Sequence, residues 1–373
     1  MIEQEKKFPR LLSLDVFRGI TIALMIVVNC PGNDSTYNWL EHSAWDGCTL
    51  ADLVFPFFVF IVGVASVFSL SKSRAQGGSL QQLLPKIIKR TILIFLIGLF
   101  LNAFPYHFDF ATIRVFGVLQ RIAICYFFSA FLFLTTQPRT QLIVMFILVL
   151  GYWLLMAFWP VPGYGANNLT PQANLAAYVD RLLFSSAHLY GKVYDPEGLL
   201  STVPAITTVL LGNLTGIGLL TTASQQKKLV GMSMAGISAL LIGWLWGLWF
   251  PINKALWTSS YVLWTGGLAL LVLAFCYWTI DIRGWKRWCK PLEIFGVNAM
   301  AAYILHIFFL KMQLMITLPN RDGFPGNLRS FITEHLFGWA SPPDASLLYA
   351  LSYTFFWLVI LTILYRKKIY IRI

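Results

Sequence analysis

Charge is what this chain has least of: only 12% of its 373 residues are Asp, Glu, Lys or Arg, where an ordinary soluble domain carries roughly 25%. With 57% hydrophobic residues beside them, a soluble globular fold is excluded and an integral membrane protein is expected. Cysteine is equally thin. Cys30, Cys48, Cys125, Cys276 and Cys289 show no metal-ligand spacing, so no metal centre is expected. Cys30 and Cys48 both fall on the outer side, where a disulfide and two free thiols are both open readings. No low-complexity tract and no solenoid repeat interrupts the chain, so one membrane domain covers residues 1–373. The first apolar segment lacks a small-residue cleavage site and carries Asp15 and Arg18; it is expected to stay as a span rather than leave as a signal peptide.

What the chain does have is long apolar runs. Windows of about 20 residues, enough to cross a bilayer as helix, lie near 11–29, 50–70, 87–104, 113–134, 140–159, 199–220, 229–250, 259–280, 292–316 and 345–365. These predict an all-α membrane protein of about ten transmembrane helices. A net charge of +12 would point a soluble protein toward nucleic acid, but 19 of the 28 basic residues sit in the tails and in alternate loops, from Lys6, Lys7 and Arg10 to Arg366, Lys367, Lys368 and Arg372. The opposite loops hold five: Arg181, Lys192, Lys254, Arg321 and Arg329. By the positive-inside rule both termini, including a tail over 1–10, are cytoplasmic, and nucleic-acid binding is rejected. The long polar segments 30–49, 160–198 and 317–344 then face outward. Gly212 with Gly216, and Gly243 with Gly247, are spaced for close helix approach, within the chain or across a homodimer.

Ionisable residues inside apolar segments mark function by default. Asp15 and Arg18 share one helix face near the cytoplasmic end of the first span, and Asn29 ends that span outside, roughly 16 Å away at helical rise. A long thin thioester cofactor can bridge that distance; a snorkelling Arg18 paired with Asp15 is the alternative reading. The outer loop carries His42, Trp45 and Asp46. A loop histidine alone reads as solvated. With Asn29 able to donate to an oxyanion, Trp45 to stack a sugar and Asp46 to orient the imidazole or hold an ammonium, it reads as a site. Asp52, opening the second span, reads as a helix N-cap or a site residue. Arg114 and Arg121, seven apart, are expected to share a buried face with Gln120 between them and to want an anion, either carboxylate partners or a phosphate. Glu197 at the start of the sixth span, Asn253, Lys254 and Trp257 in an outer loop, and Asn298, His306 and Lys311 in the ninth span complete a polar and aromatic set suited to a sugar.

In order along the chain stand Asp15-Val-Phe-Arg-Gly19, Val28-Asn29, Glu41-His-Ser-Ala-Trp-Asp-Gly47, Leu50-Ala-Asp-Leu-Val-Phe-Pro56, Val118-Leu-Gln-Arg121, Tyr194-Asp-Pro-Glu-Gly198, Asn253-Lys254 with Leu256-Trp257, and the stretch Asn298 to His306. This series resembles the heparan-α-glucosaminide N-acetyltransferase family of transmembrane acyltransferases. The resemblance implies transfer of acetyl from cytosolic acetyl-coenzyme A to the amine of a glucosamine-type sugar across the membrane. His42 takes the position of the family's active histidine and Asn29 that of its catalytic asparagine. Asp15, Arg18, Arg114, Gln120 and Arg121 become candidates for the cofactor. Trp45, Asp46, Asp52, Glu197, Asn253, Lys254, Trp257, Asn298 and His306 become candidates for the acceptor. The loop from Asn29 to His42 is slightly longer than in the animal enzymes and their soluble amino-terminal region is missing, so a bacterial inner-membrane form is expected. The rival reading is an amino-sugar permease, whose site would centre near the midplane around Arg121, Asn298 and His306.

Overall fold

The computed structural model describes residues 10–105, 109–319 and 323–371. Lys6, Lys7, Arg321 and Arg372, with nearly all of the tail 1–10, lie outside them. Helices α1 (Leu12–Asn29), α2 (Leu50–Ala75), α3 (Leu80–Ala103), α4 (Val118–Thr135) and α5 (Pro138–Phe158) run back and forth. The short α6 (Leu175–Leu183) lies in the second outer segment, followed by α7 (Leu199–Leu220), α8 (Gln225–Trp246) and α9 (Ser259–Cys276), which continues as a π-helix over Tyr277–Ile282. Then come α10 (Lys290–Val297), α11 (Ala299–Met315), a small antiparallel pair β1 (Thr317–Pro319) and β2 (Pro325–Asn327), the short α12 (Leu328–Phe337) and α13 (Pro342–Arg366).

Eight of these helices are by themselves long and apolar enough to cross a membrane: α1, α2, α4, α5, α7, α8, α9 with its extension, and α13. Helix α3 is not among them: its first half carries Lys86, Lys89 and Arg90, and it is continuously apolar only beyond Thr91. The window 292–316 departs from the expected straight span. Two helices, α10 and α11, meet there at 81°. Asn298 sits at the break with φ −112° and ψ 33°, and its side chain binds the tail beyond α13, donating to Ile369 O and accepting from Ile371 N. A side chain that bonds elsewhere at an interrupted ladder is a physical cause of a kink.

The helix predicted from residue 113 begins instead at Val118, and residues 113–117 run in extended or irregular backbone. Arg114 therefore lies outside α4 and shares no helix face with Arg121. Cys30 and Cys48 are both free thiols, Cys30 within the core.

Helix α2 is the axle: 72% of its span is buried, against 17% for α8, and α1, α4, α7 and α9 all pack on it. Glycine sets how closely α7 approaches. A Cβ on Gly63 would lie 2.1 Å from Val209 O, and one on Gly212 would lie 2.1 Å from Phe60 O. A Cβ on Gly243 of α8 would meet Trp264 N of α9 at 2.7 Å. The small-residue spacings thus serve contacts inside the chain.

Candidate active site at the outer end of the helices

Asp52 is the hub of the outer site. It lies in the first turn of α2, where unpaired backbone N–H groups and the helix dipole favour a carboxylate. Its Oδ2 accepts from Ser43 N at 3.1 Å, Thr49 N at 3.0 Å and Thr49 Oγ1 at 3.1 Å. These bonds fold the polar loop back over the helix end. Oδ1 stays free for two other partners: His42 Nδ1 at 2.8 Å and Lys254 Nζ at 3.5 Å. The Asp52 side chain is 1% exposed and that of His42 50% exposed, so one end of the imidazole is fixed on a buried anion while the ring borders solvent. Asp52, not Asp46, orients the histidine; Asp46 accepts from Asn253 Nδ2 at 3.1 Å.

Lys254 arrives from the loop between α8 and α9, its Nζ 3.0 Å from His42 Nδ1 and 3.2 Å from Nε2. Burial lowers its pKa, against the opposing pull of the Asp52 and Glu197 carboxylates. Asn253 shapes that loop, accepting from Leu256 N and donating its own N–H to Thr258 Oγ1. Gly47 N donates to Ile252 O at 2.7 Å and docks the two loops on each other. Beneath them the Tyr261 hydroxyl donates to Asp52 O at 2.5 Å.

Trp257 is wholly buried, so it offers no face to a sugar. It packs edge-on against Phe55 and Tyr261, donates to Thr208 Oγ1 at 3.2 Å and carries the Arg121 guanidinium 4.9 Å above its ring. It is the floor of the site. Trp45 stays at the rim, donating to Leu169 O at 3.0 Å and meeting Tyr194 edge to face, which ties the second outer segment to the His42 loop.

The three groups of the fourth apolar window are placed apart from Asp15 and Arg18, at the outer end. Arg114 is taken by carboxylates: Nε and Nη2 bind Asp195 at 2.8 and 2.6 Å, and Nη2 also binds Glu197. Of the two alternatives for its anion, Arg114 thus takes carboxylates of the chain. Arg121 is fully buried among Ser201 Oγ, Thr202 Oγ1 and Gly198 O. Gln120 is buried where α4 meets α3, its carboxamide oxygen beside the Cα atoms of Gly98 and Gly117. None of them opens toward the end of the bundle that holds Asp15 and Arg18, and this geometry does not fit them to a nucleotide phosphate there.

The opposite end of the bundle has its own cluster. Asp15 accepts from Arg10 Nε at 2.6 Å and Arg18 Nη1 at 3.3 Å, and Arg18 also donates to Gly296 O at 3.2 Å. Glu293 joins Arg10 at 3.2 Å and Lys290 at 3.0 Å. Three cations thus face two carboxylates, and the side chains of Arg10 and Lys290 are 58% and 52% exposed. That surplus suits a phosphate. Asn298 belongs to this end and not to the acceptor site, as its bonds to Ile369 and Ile371 show. His306 is buried midway along α11, its Nδ1 2.8 Å from Ala302 O, and Lys311 donates to Leu101 O and Phe104 O. Arg121, Asn298 and His306 therefore stand at three different depths and do not assemble a midplane transport site. Asn29 ends α1, exposed at the outer face; among the described residues no hydrogen bond joins it to His42.

Sequence reasoning misses Asp195, although it stands in the same Tyr194–Gly198 motif as Glu197, and the signal was the need of Arg114 for a bidentate partner. It also misses Asp180 of α6, buried and accepting from Leu199 N at 2.9 Å, and Glu293, an acid beside Lys290 at a helix start.

The family model for the catalytic region of heparan-alpha-glucosaminide N-acetyltransferase matches residues 10–244. The chain is similar to the heparan-alpha-glucosaminide N-acetyltransferases of Homo sapiens, 31% identical, and Mus musculus, 29% identical, each over 98% of this chain. It spans 60% of the length of those relatives. With the family match covering both the His42 loop and the Arg114 to Glu197 pairing, this chain belongs to the heparan-alpha-glucosaminide N-acetyltransferase catalytic family.

Proposed function

We propose that this chain is a membrane acetyltransferase that moves acetyl from acetyl-coenzyme A, entering at the cytoplasmic mouth, to the amine of a glucosamine-type sugar at the outer face of a bacterial inner membrane. The observation that carries the reading is the Asp52–His42 pair, a half-exposed imidazole held on a buried carboxylate. Its tautomer follows: with Nδ1–H donated to Asp52, Nε2 keeps its lone pair, with Lys254 Nζ 3.2 Å away. His42 then takes a proton from the acceptor amine as its nitrogen attacks the thioester carbonyl, and returns that proton to the departing thiolate. Alternatively His42 Nε2 itself accepts acetyl and passes it on. Lys254, beside the ring, and Asn29 are the groups we assign to the developing oxyanion.

Arg10, Arg18 and Lys290 are the residues that would hold the phosphates of the donor, which supplies an activated acetyl group. Trp45, Asp46 and Glu197 border the acceptor side.

The test is acetyl transfer by purified protein with labelled acetyl-coenzyme A and glucosamine-type acceptors. Wild type should transfer and His42→Ala should not, while both bind coenzyme A by calorimetry. Trapped label on wild type alone would select the covalent route. Equal transfer by both proteins would overturn the site, and sugar carried unmodified into liposomes would favour a permease.

A further inference from the structure

The least enclosed side of the molecule holds a cleft of about 690 Å³ between α5 and α8, floored by α7 and α9. Its shape follows from the packing. Helix α5 rests on α7, and α8 rests on α9. The two outer helices touch near the outer face, where Trp153 and Trp246 meet edge to face at 5.7 Å. From that closed apex they diverge toward the cytoplasmic side. The walls are apolar, with Leu142, Phe146, Leu219 and Met232 among them, and Gly231 and Ala235 leave room along α8.

The open end is cationic. Lys227 and Lys228 line it from the first turn of α8. The helix dipole already makes that end positive; Ser224 caps Lys227 N, and no acidic residue stands in the turn to compensate. Lys228 Nζ is steered to the mouth by donating to Leu219 O at 2.7 Å. The positive-inside rule accounts for lysines in this loop, but not for their placement at the mouth of an apolar wedge.

We propose that this wedge is a binding site for one anionic phospholipid of the cytoplasmic leaflet. Its phosphate sits on Lys227 and Lys228, and one acyl chain lies along α8 between α5 and α7. One leaflet of hydrocarbon is about 15 Å deep, which is about ten residues of helix, so the chain reaches from Lys228 to the level of Ser238. A pantetheine arm, with its amides and hydroxyl, would find almost no polar partner on these walls. The site is independent of the acetyltransferase reading, since none of its residues belongs to the His42 or Arg18 clusters.

The test is native mass spectrometry of the full chain in detergent, titrated with phosphatidylglycerol or phosphatidylcholine of the same acyl chains. Wild type should retain one phosphatidylglycerol in preference to phosphatidylcholine. Lys227→Gln and Lys228→Gln should each weaken phosphatidylglycerol binding about fivefold and leave phosphatidylcholine unchanged. Ala235→Trp, at an exposed position on the wall, should displace both lipids. Equal binding of the two lipids by wild type, or lysine variants that keep the preference, would overturn the proposal. So would a wild-type dimer that Ala235→Trp splits into monomers, which would make the wedge a contact between copies.

Discussion

His42 Nδ1 stands 2.8 Å from Asp52 Oδ1, a carboxylate whose other oxygen is held by three donors from the loop that carries the histidine. The same residue thus orders the loop and orients the ring. Asp52→Asn keeps the size of the side chain but removes the charge and can stabilise the wrong tautomer. Transfer should fall about 10²–10⁴-fold in kcat, with donor affinity little changed. Steady-state kinetics with a parallel binding measurement checks it, and an unchanged kcat would remove Asp52 from the mechanism.

Lys254→Met preserves the apolar stem and deletes the ammonium beside His42. If that ammonium stabilises an oxyanion, kcat should drop about 10²–10³-fold with the thermal midpoint nearly unchanged. A loss of stability with normal kcat would make the lysine a structural partner of Asp52 only.

Arg114→Ala should be among the most damaging substitutions to stability. It strands Asp195, fully buried, and Glu197, nearly so, and breaking one side of a buried ion pair costs about 3–5 kcal/mol. Denaturation of the detergent-solubilised protein reads this directly. A loss below about 1 kcal/mol, the range of exposed pairs, would show that the pair is hydrated.

Asp180 carries a pH signature. Burial pushes its carboxyl up to about 7 from an ordinary 3.8, with Asp195 adding to the shift and Arg121 opposing it. Between those values the folded protein binds more protons than the unfolded chain, so the contribution of this group to stability falls as pH rises from 3.8 toward 7 and levels off above. Asp180→Asn removes that dependence. The difference in thermal midpoint between wild type and variant should therefore change across pH 4 to 7 and stay flat above it. A constant difference throughout would mean that Asp180 titrates normally.

Two glycines separate packing from propensity. Gly212→Ala places a methyl 2.1 Å from Phe60 O, whereas Gly151→Ala in α5 meets nothing within 4 Å. The first should lose roughly 1–3 kcal/mol or more, and the second should gain about 0.5–1 kcal/mol from helix propensity. Thermal unfolding of the two variants distinguishes them, and equal effects would contradict the close α2 to α7 contact.

The sequence by itself determined the all-α membrane architecture and most of its long helices, and singled out the stretch from Asn29 to Pro56. Each depends on local properties: apolar length, and a polar loop whose residues cap the helix that follows. His42 and Asp52 are ten residues apart, and one helix start brings them together. What lay beyond that reach was partnership between distant segments. Lys254 is 212 residues from His42, and Arg114 is 81 from Asp195; the packing of α2 against α9 brings the first pair together, and that of α4 against α7 the second. Spacing placed Arg114 and Arg121 on one helix, but the chain straightens before Val118 and gives the first arginine to two carboxylates. Asn298 reads as a polar group within a span, yet its amide holds the segment beyond α13 through Ile369 and Ile371. In a bilayer nearly every helix face is apolar, so hydrophobic pattern cannot say which faces meet. That choice falls to close contacts such as Gly63 against Val209 and to the pairing of buried polar groups, which exist only once the tertiary structure has formed.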